Sequence, residues 1–166
     1  MPRRQTPTGA PHVYRTKPLR PRLDESYRVR EKYPEPTVCP ECHAVFHAGH
    51  WQWSAVPASP HHELCPACHR IRDAAPAGHV RLEGPFVLPH SAELIARIRN
   101  VEEKEKAARP LNRVMAIATE DEGITITTTD SHLARDIGEA MRRAYKGELD
   151  IQYGADENLA RVTWRR

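Results

Sequence analysis

Apolar and polar positions alternate most regularly towards the end of the chain. Val114 to Ala118 and Ile124 to Thr128 read as strands around Glu120-Asp121-Glu122-Gly123, a hairpin turn with glycine where a positive φ is needed. Asp130 or Ser131 then caps a helix in which Leu133, Ile137, Met141 and Ala144 share a stripe, and Gly147 sits just past its end. Leu149, Ile151 and Tyr153 alternate, residues 154–158 turn the chain, and Ala160, Val162 and Trp164 alternate back. Ahead of these lies a helix that Ser91 can cap. Glu93 suits its first turn, and Leu94, Ile95, Ile98 and Val101 lie on one face. Glu102 to Lys106 are charged all round, which predicts solvated last turns, and Arg109-Pro110 ends the segment.

The resulting order, α-β-β-α-β-β over residues 90–166, predicts a two-layer α+β sandwich of ferredoxin-like type with both helices on one face. The other face would carry Thr125, Thr127, Thr129, Gln152, Arg161 and Thr163. This weakly basic, hydrogen-bonding surface suits nucleic-acid backbone, and it is also the candidate surface for a protein partner.

Upstream the pattern changes. Cys39-Pro40-Glu41-Cys42 and Cys65-Pro66-Ala67-Cys68 use all four cysteines of the chain. Each Cys-x-x-Cys turn sets two thiolates on adjacent corners of a tetrahedron, so Cys39, Cys42, Cys65 and Cys68 predict one closed, structural Zn²⁺ site. Two disulfides or a redox motif are the alternatives, and no strand leads into either pair as a redox fold requires. Between the knuckles, Val45, His47, Trp51 and Trp53 suggest strand pairing, followed by a loop at Pro57 to Pro60. After them, Val80-Arg81-Leu82 and Phe86-Val87-Leu88 read as a short strand pair around Gly84-Pro85. Residues 37–89 thus predict a small four-cysteine zinc ribbon, a size at which metal binding supplies much of the folding free energy.

Charge adds a third region. The formal net charge of the 166 residues is only +3, but residues 1–22 hold Arg3, Arg4, Arg15, Lys17, Arg20 and Arg22 among five prolines and no acidic side chain. Residues 1–36 therefore predict a basic, proline-rich arm, mostly disordered, with a short helical turn around Tyr27, Val29 and Tyr33 at its end. Such an arm displaces counterions from a polyanion, which makes nucleic acid its natural partner. Arg70 and Arg72, just after the second knuckle, and Trp51, whose face can stack on a base, extend the candidate contacts.

Six histidines near the cysteines, His43, His47, His50, His61, His62 and His69, are candidates for a second metal site. Only His43 and His47 stand four residues apart, and Val45 and His47 read as strand rather than helix, so surface roles are the simpler reading. Gly49 and Gly78 stand without the glycine partners of a phosphate loop. No run has the length or hydropathy of a membrane span, and no apolar stretch follows the N-terminal charge. A cytoplasmic protein with no membrane partner is the expectation.

The four cysteines ahead of an α+β module, with Gly123-Ile124-Thr125-Ile126 leading into His132-Leu133-Ala134-Arg135-Asp136-Ile137-Gly138, resemble the adaptor family that binds the large ribosomal subunit for nuclear export, together with its archaeal relatives. The resemblance spans about residues 37–166. This chain has one four-cysteine site where that family has more pairs. The zinc-ribbon class of transcription and translation accessory proteins shares the knuckles alone. What the first resemblance implies is ribosome binding. Together these readings predict a non-enzymatic zinc protein that binds RNA, with the ribosome or rRNA as partner. A zinc-ribbon DNA-binding regulator and a protein-interaction module are the alternatives.

Overall fold

The computed structural model describes residues 33–154 and 158–166 in full and residues 13–16 by their backbone. Strand β1 (Val13–Thr16) is followed by four short strands, β2 (Thr37–Val38), β3 (Val45–His47), β4 (His50–Gln52) and β5 (His61–His62), and by helix α1 (Pro66–Arg72). Then come β6 (Gly78–Glu83), α2 (Ser91–Ala108), β7 (Val114–Glu120), β8 (Gly123–Thr128), α3 (Ser131–Tyr145), β9 (Glu148–Tyr153) and β10 (Ala160–Arg165). Strands β4-β3-β2-β5 form a small sheet beside the cysteines, and β1-β9-β10-β6-β8-β7 form a six-stranded sheet.

The predicted α+β sandwich is present, and it gains a central strand. β6 pairs along its whole length with β8 (antiparallel) and with β10 (parallel), from Gly78 opposite Thr128 and Ala160 to Glu83 opposite Gly123 and Arg165. It lies within residues 37–89, yet its partners are all in the later module. The strand pair expected between Val80–Leu82 and Phe86–Leu88 does not form. A short local hairpin would pair β6 along one edge only, whereas two full-length neighbours satisfy its backbone on both sides. Phe86 instead stacks on His90 with ring centroids 3.8 Å apart, and the Arg166 guanidinium lies 4.1 Å from the Phe86 ring, while Leu88–His90 form a 3₁₀ turn running into α2. That continuity also removes the role expected for Ser91. The residue before the helix is His90, with no side-chain cap, and the His90 amide donates to Val87 O.

Other local signals act as expected. Asp130 accepts from the amides of His132 and Leu133 at the start of α3. Gly123 has φ +151°, and a Cβ there would lie 2.0 Å from Leu82 O, so the turn glycine also admits β6. Val80, Leu82, Ile124, Ile126, Ile151, Val162 and Trp164 from the sheet meet Leu94, Ile98, Leu133, Ile137 and Met141 from the helices in one core. Ala144, expected on that stripe, is exposed. α3 instead comes close to the sheet at Gly138, where a Cβ would meet Val162 Cγ1 at 2.5 Å.

Thr125, Thr127, Gln152, Arg161 and Thr163 lie opposite the core as predicted. Thr129 does not, because β8 ends at Thr128 and Thr129 turns inward. On the open face Arg81 meets Glu83 at 3.0 Å and Glu122 at 2.8 Å, and Arg165 pairs with Glu83, while Arg161 is exposed with no ion pair among the described residues. Within the arm, Val13–Thr16 form a strand parallel to β9, with Tyr14 opposite Ile151. β9 would otherwise expose one row of unpaired backbone groups. The disorder expected elsewhere in the arm, and the turn around Tyr27 and Val29, lie outside the described residues.

Candidate metal centre

The first knuckle is a tight turn set by the backbone. The His43 amide donates to Cys39 O and the Cys39 amide to Ala44 O, both at 2.9 Å, and His43 takes a positive φ of 62°. The second knuckle opens a helix: Cys65 is the N-cap of α1, Pro66 stands in the first turn where no amide is needed, and the Cys68 amide donates to Cys65 Sγ at 3.4 Å. Contrary to the expectation that no strand leads into either pair, β2 runs directly into Cys39 and β5 leads towards Cys65; both are two-residue strands too short to read from alternation, and their pairing brings the two knuckles side by side.

The four Sγ atoms all lie within 4.8 Å of one another, and all four cysteines are free. A tetrahedral centre with metal–sulfur bonds of about 2.3 Å places its sulfurs about 3.8 Å apart. The Cys42 and Cys65 sulfurs are 3.7 Å apart, so the donor set fits a tetrathiolate metal ion. Cys39, Cys65 and Cys68 are buried and Cys42 is half-buried, beneath Ala44, Phe46, Trp51 and Ala67.

One side chain from the far module completes the site. Arg113, in the loop between α2 and β7, donates to Cys68 Sγ at 3.3 Å through Nη1, and to Cys42 Sγ at 3.1 Å and Cys65 Sγ at 3.3 Å through Nη2. The Cys65 amide donates to Cys39 Sγ at 3.4 Å, so every sulfur accepts at least one N–H. Arg113 is itself only 8% exposed and is locked from behind. Its Nε donates to Pro110 O at 2.8 Å, and its amide donates to Thr129 Oγ1 at 2.9 Å. Thr129 Oγ1 in turn donates to Leu111 O, which explains why this threonine leaves the sheet face. Leu111 packs into the apolar cluster around the cysteines, and Trp53 Nε1 donates to Lys106 O at 2.7 Å, tying the small sheet to the end of α2.

The electrostatics follow from this geometry. With no metal bound, the hydrogen bond from Cys65, then the backbone at Ala44 and the Arg113 charge, bring the Cys42 thiol down to about 4. Sharing its proton with Cys42, together with burial, pushes Cys65 up. Burial pushes Cys68 up to about 11 against the pull of Arg113. Burial alone would lower the Arg113 pKa, but its hydrogen bond to Cys68 and the surrounding sulfurs outweigh that and hold the guanidinium charged. A tetrathiolate with a divalent ion carries two negative charges, and Arg113 halves that charge inside the protein.

The remaining predicted contacts do not converge. Trp51 is 8% exposed and stands at 5.2 Å from Tyr33 and 5.6 Å from Phe46 in an aromatic cluster over the cysteines, so it has no free face for a base. Arg70 is also 8% exposed and donates to Ala75 O at 3.1 Å, closing the end of α1; it is a structural group rather than a surface cation. Arg72 is exposed, with Glu41 at 3.6 Å. Arg3, Arg4, Lys17, Arg20 and Arg22 lie outside the described residues, and Arg15 belongs to β1. All six histidines near the knuckles are exposed. Among the described residues the four cysteines are the one group whose ligand atoms converge. Among the same residues, no helix is long and apolar enough to cross a membrane.

Sequence reasoning missed Arg113. The only local signal was an arginine following Pro110-Leu111-Asn112 in what reads as a polar loop. No protein-family model, curated protein or solved structure matches the chain.

Proposed function

We propose that the chain is a non-enzymatic, cytoplasmic zinc protein that binds RNA, with the ribosome or its rRNA as partner and one structural Zn²⁺ held by Cys39, Cys42, Cys65 and Cys68. The observation that carries this reading is the closure of the thiolate cluster. Four protein sulfurs fill a tetrahedral ion, and each also accepts an N–H, which leaves no coordination position for water or substrate. All-sulfur tetrahedral donors favour zinc over the hard divalent cations. A closed centre organises the chain instead of reacting, so the working chemistry falls to the cations. The arm's six cations, without an acidic neighbour in residues 1–22, support a polyanionic partner. The resemblance through the knuckles and the Gly123 to Gly138 stretch supports the ribosome as that partner.

The test is sedimentation of lysate through a sucrose gradient at low and high salt, following the protein and its zinc together. Co-migration with ribosomal particles at low salt, lost at high salt, is the expected result. Migration at the top of the gradient in both conditions rejects the ribosome as partner. Removal of residues 1–22 should flatten the salt dependence of RNA binding, and an unchanged slope rejects the arm as a contact. Preference for duplex DNA over structured RNA would favour a DNA-binding regulator instead.

A further inference from the structure

The nucleic-acid contacts expected on the small module are buried or paired, and on the open sheet face Arg81 and Arg165 are matched by carboxylates, which leaves Arg161 unpaired there among the described residues. The outer side of the helical layer differs. α2 and α3 leave between them an open groove of about 470 Å³ lined by Arg97, Asn100, Val101, Lys104, Ala140, Arg143 and Ala144. Arg97, Asn100, Lys104 and Arg143 are exposed. Among the described residues no carboxylate lines the groove, and neither Lys104 nor Arg143 has an ion-pair partner.

Three acidic residues of the two helices are engaged elsewhere. Glu102 accepts from the Val114 amide and from Arg99, Glu139 takes Arg142, and Asp136 takes Arg135. Glu103 and Glu105 border the groove, about 60° around α2 from Asn100 and about 40° from Val101 respectively, and neither is among its lining residues. Glu93 stands at one end, where it accepts from Tyr145 Oη at 2.8 Å while the Arg97 guanidinium lies 6.0 Å from the Tyr145 ring. Arg97 is thereby held at the mouth of the groove, and Lys104 lies about 10 Å further along α2.

We infer that this groove is a binding site for the phosphodiester backbone of RNA. The inference rests on the RNA-binding reading above and places the contact on the helical layer. Cations and one amide spaced along a shallow groove match regularly spaced phosphates and hydroxyls, which need position but no base reading. The floor of Val101, Ala140 and Ala144 is low enough for a backbone to approach. It carries no aromatic or leucine anchor of the kind a membrane surface or a peptide hot spot requires. Among the described residues the exposed large apolar side chains, Trp53, Val56, Ile71 and Leu88, all lie outside it.

The test uses the full-length, zinc-loaded protein and three probes: a fluorescein-labelled RNA hairpin, a DNA duplex, and phosphatidylserine-containing vesicles. The variants are the triple Arg97→Gln, Lys104→Gln, Arg143→Gln; Arg161→Gln on the open sheet face; and removal of residues 1–22. The triple variant should bind the hairpin more weakly, with its log affinity against log salt flattened by about two to three units. Arg161→Gln should change the slope by less than about one unit. RNA should also protect Lys104 of the unaltered protein from acetylation, a readout that needs no variant to fold. If the unaltered protein binds no RNA, the RNA-binding reading fails and takes the groove with it. If it binds RNA and only the arm truncation weakens it, with Lys104 unprotected, the groove inference alone is overturned. Preferential capture of the DNA duplex or of vesicles would likewise overturn it.

Discussion

Replacing Arg113 by methionine isolates the contribution of the inter-module contact to the metal centre. The substitution keeps apolar bulk in the loop but removes the three N–H donors at 3.1–3.3 Å from sulfur. Among the described side chains and amides that reach the sulfurs, Cys65 keeps the Cys68 amide and Cys39 keeps the Cys65 amide. Cys42 and Cys68 lose their guanidinium donors. The cluster then returns from one net negative charge to two in a largely buried place. Loss of a partner that orients and neutralises metal ligands typically costs about 10- to 100-fold in metal affinity. That corresponds to about 1.4–2.8 kcal/mol. Competition for zinc against a chromophoric chelator at fixed pH measures it, and far-ultraviolet circular dichroism checks that the larger sheet is intact. Arg113→Lys should fall between the two, since an ammonium restores charge but not the forked geometry that reaches three sulfurs. If Arg113→Met retains zinc within about twofold of the original protein, the guanidinium contributes nothing to the centre and the reasoning is refuted.

Three further outcomes follow from the same geometry. Cys65 and Cys68 hold their protons without metal, so binding releases at least about two protons. Zinc affinity should then fall by at least about 100-fold for each unit the pH drops below neutrality. Titration calorimetry in buffers of different ionisation enthalpy counts the protons, and release of none would contradict the protonation that burial imposes on these two thiols. Gly78→Ala puts a Cβ 2.2 Å from Thr128 Oγ1 and 2.5 Å from Ala134 Cβ, and should destabilise the six-stranded sheet by about 1–3 kcal/mol. A urea midpoint unchanged by this substitution would show that β6 is not held between α3 and β8 as described. Trp164→Ala empties a fully buried site beside Phe86 and Tyr145 and removes the donor to Lys146 O. It should cost about 3–5 kcal/mol, read in the same urea titration, and a loss below about 1 kcal/mol would count against the packing.

The parts legible in the sequence are those fixed within a few residues. Both knuckles could be read because ligand geometry at Cys-x-x-Cys depends on one turn of chain. Asp130 and Gly123 could be read for the same reason, since a capping side chain and a positive-φ turn act on neighbouring amides and carbonyls. The β7–β8 and β9–β10 hairpins follow from alternation on either side of a turn. Residues whose roles depend on phase were harder. Arg70 and Arg72 look alike in sequence, yet only Arg70 faces inward to Ala75 O, while Arg72 faces Glu41 and solvent. Glu102, within a run that reads as charged all round, is drawn under the helix to hold the start of β7.

The sequence by itself determined that four thiolates would meet in one closed site, that an α+β sandwich would follow, and that positive charge would gather at the beginning of the chain. Each depends on spacing, period or composition, which no partner is needed to reveal. Only the tertiary structure decided that Arg113 would reach sulfurs 45 to 71 residues away, that β6 would enter the centre of the larger sheet, and that Trp51 would be a lid over the cysteines. It alone set Arg97 and Lys104 across from Arg143. These outcomes come from competition among distant surfaces: a backbone seeks partners along both edges, a buried charge seeks its opposite, and an aromatic ring seeks a dry face. Such partners are chosen by packing in three dimensions and leave no mark on the residues beside them in the chain.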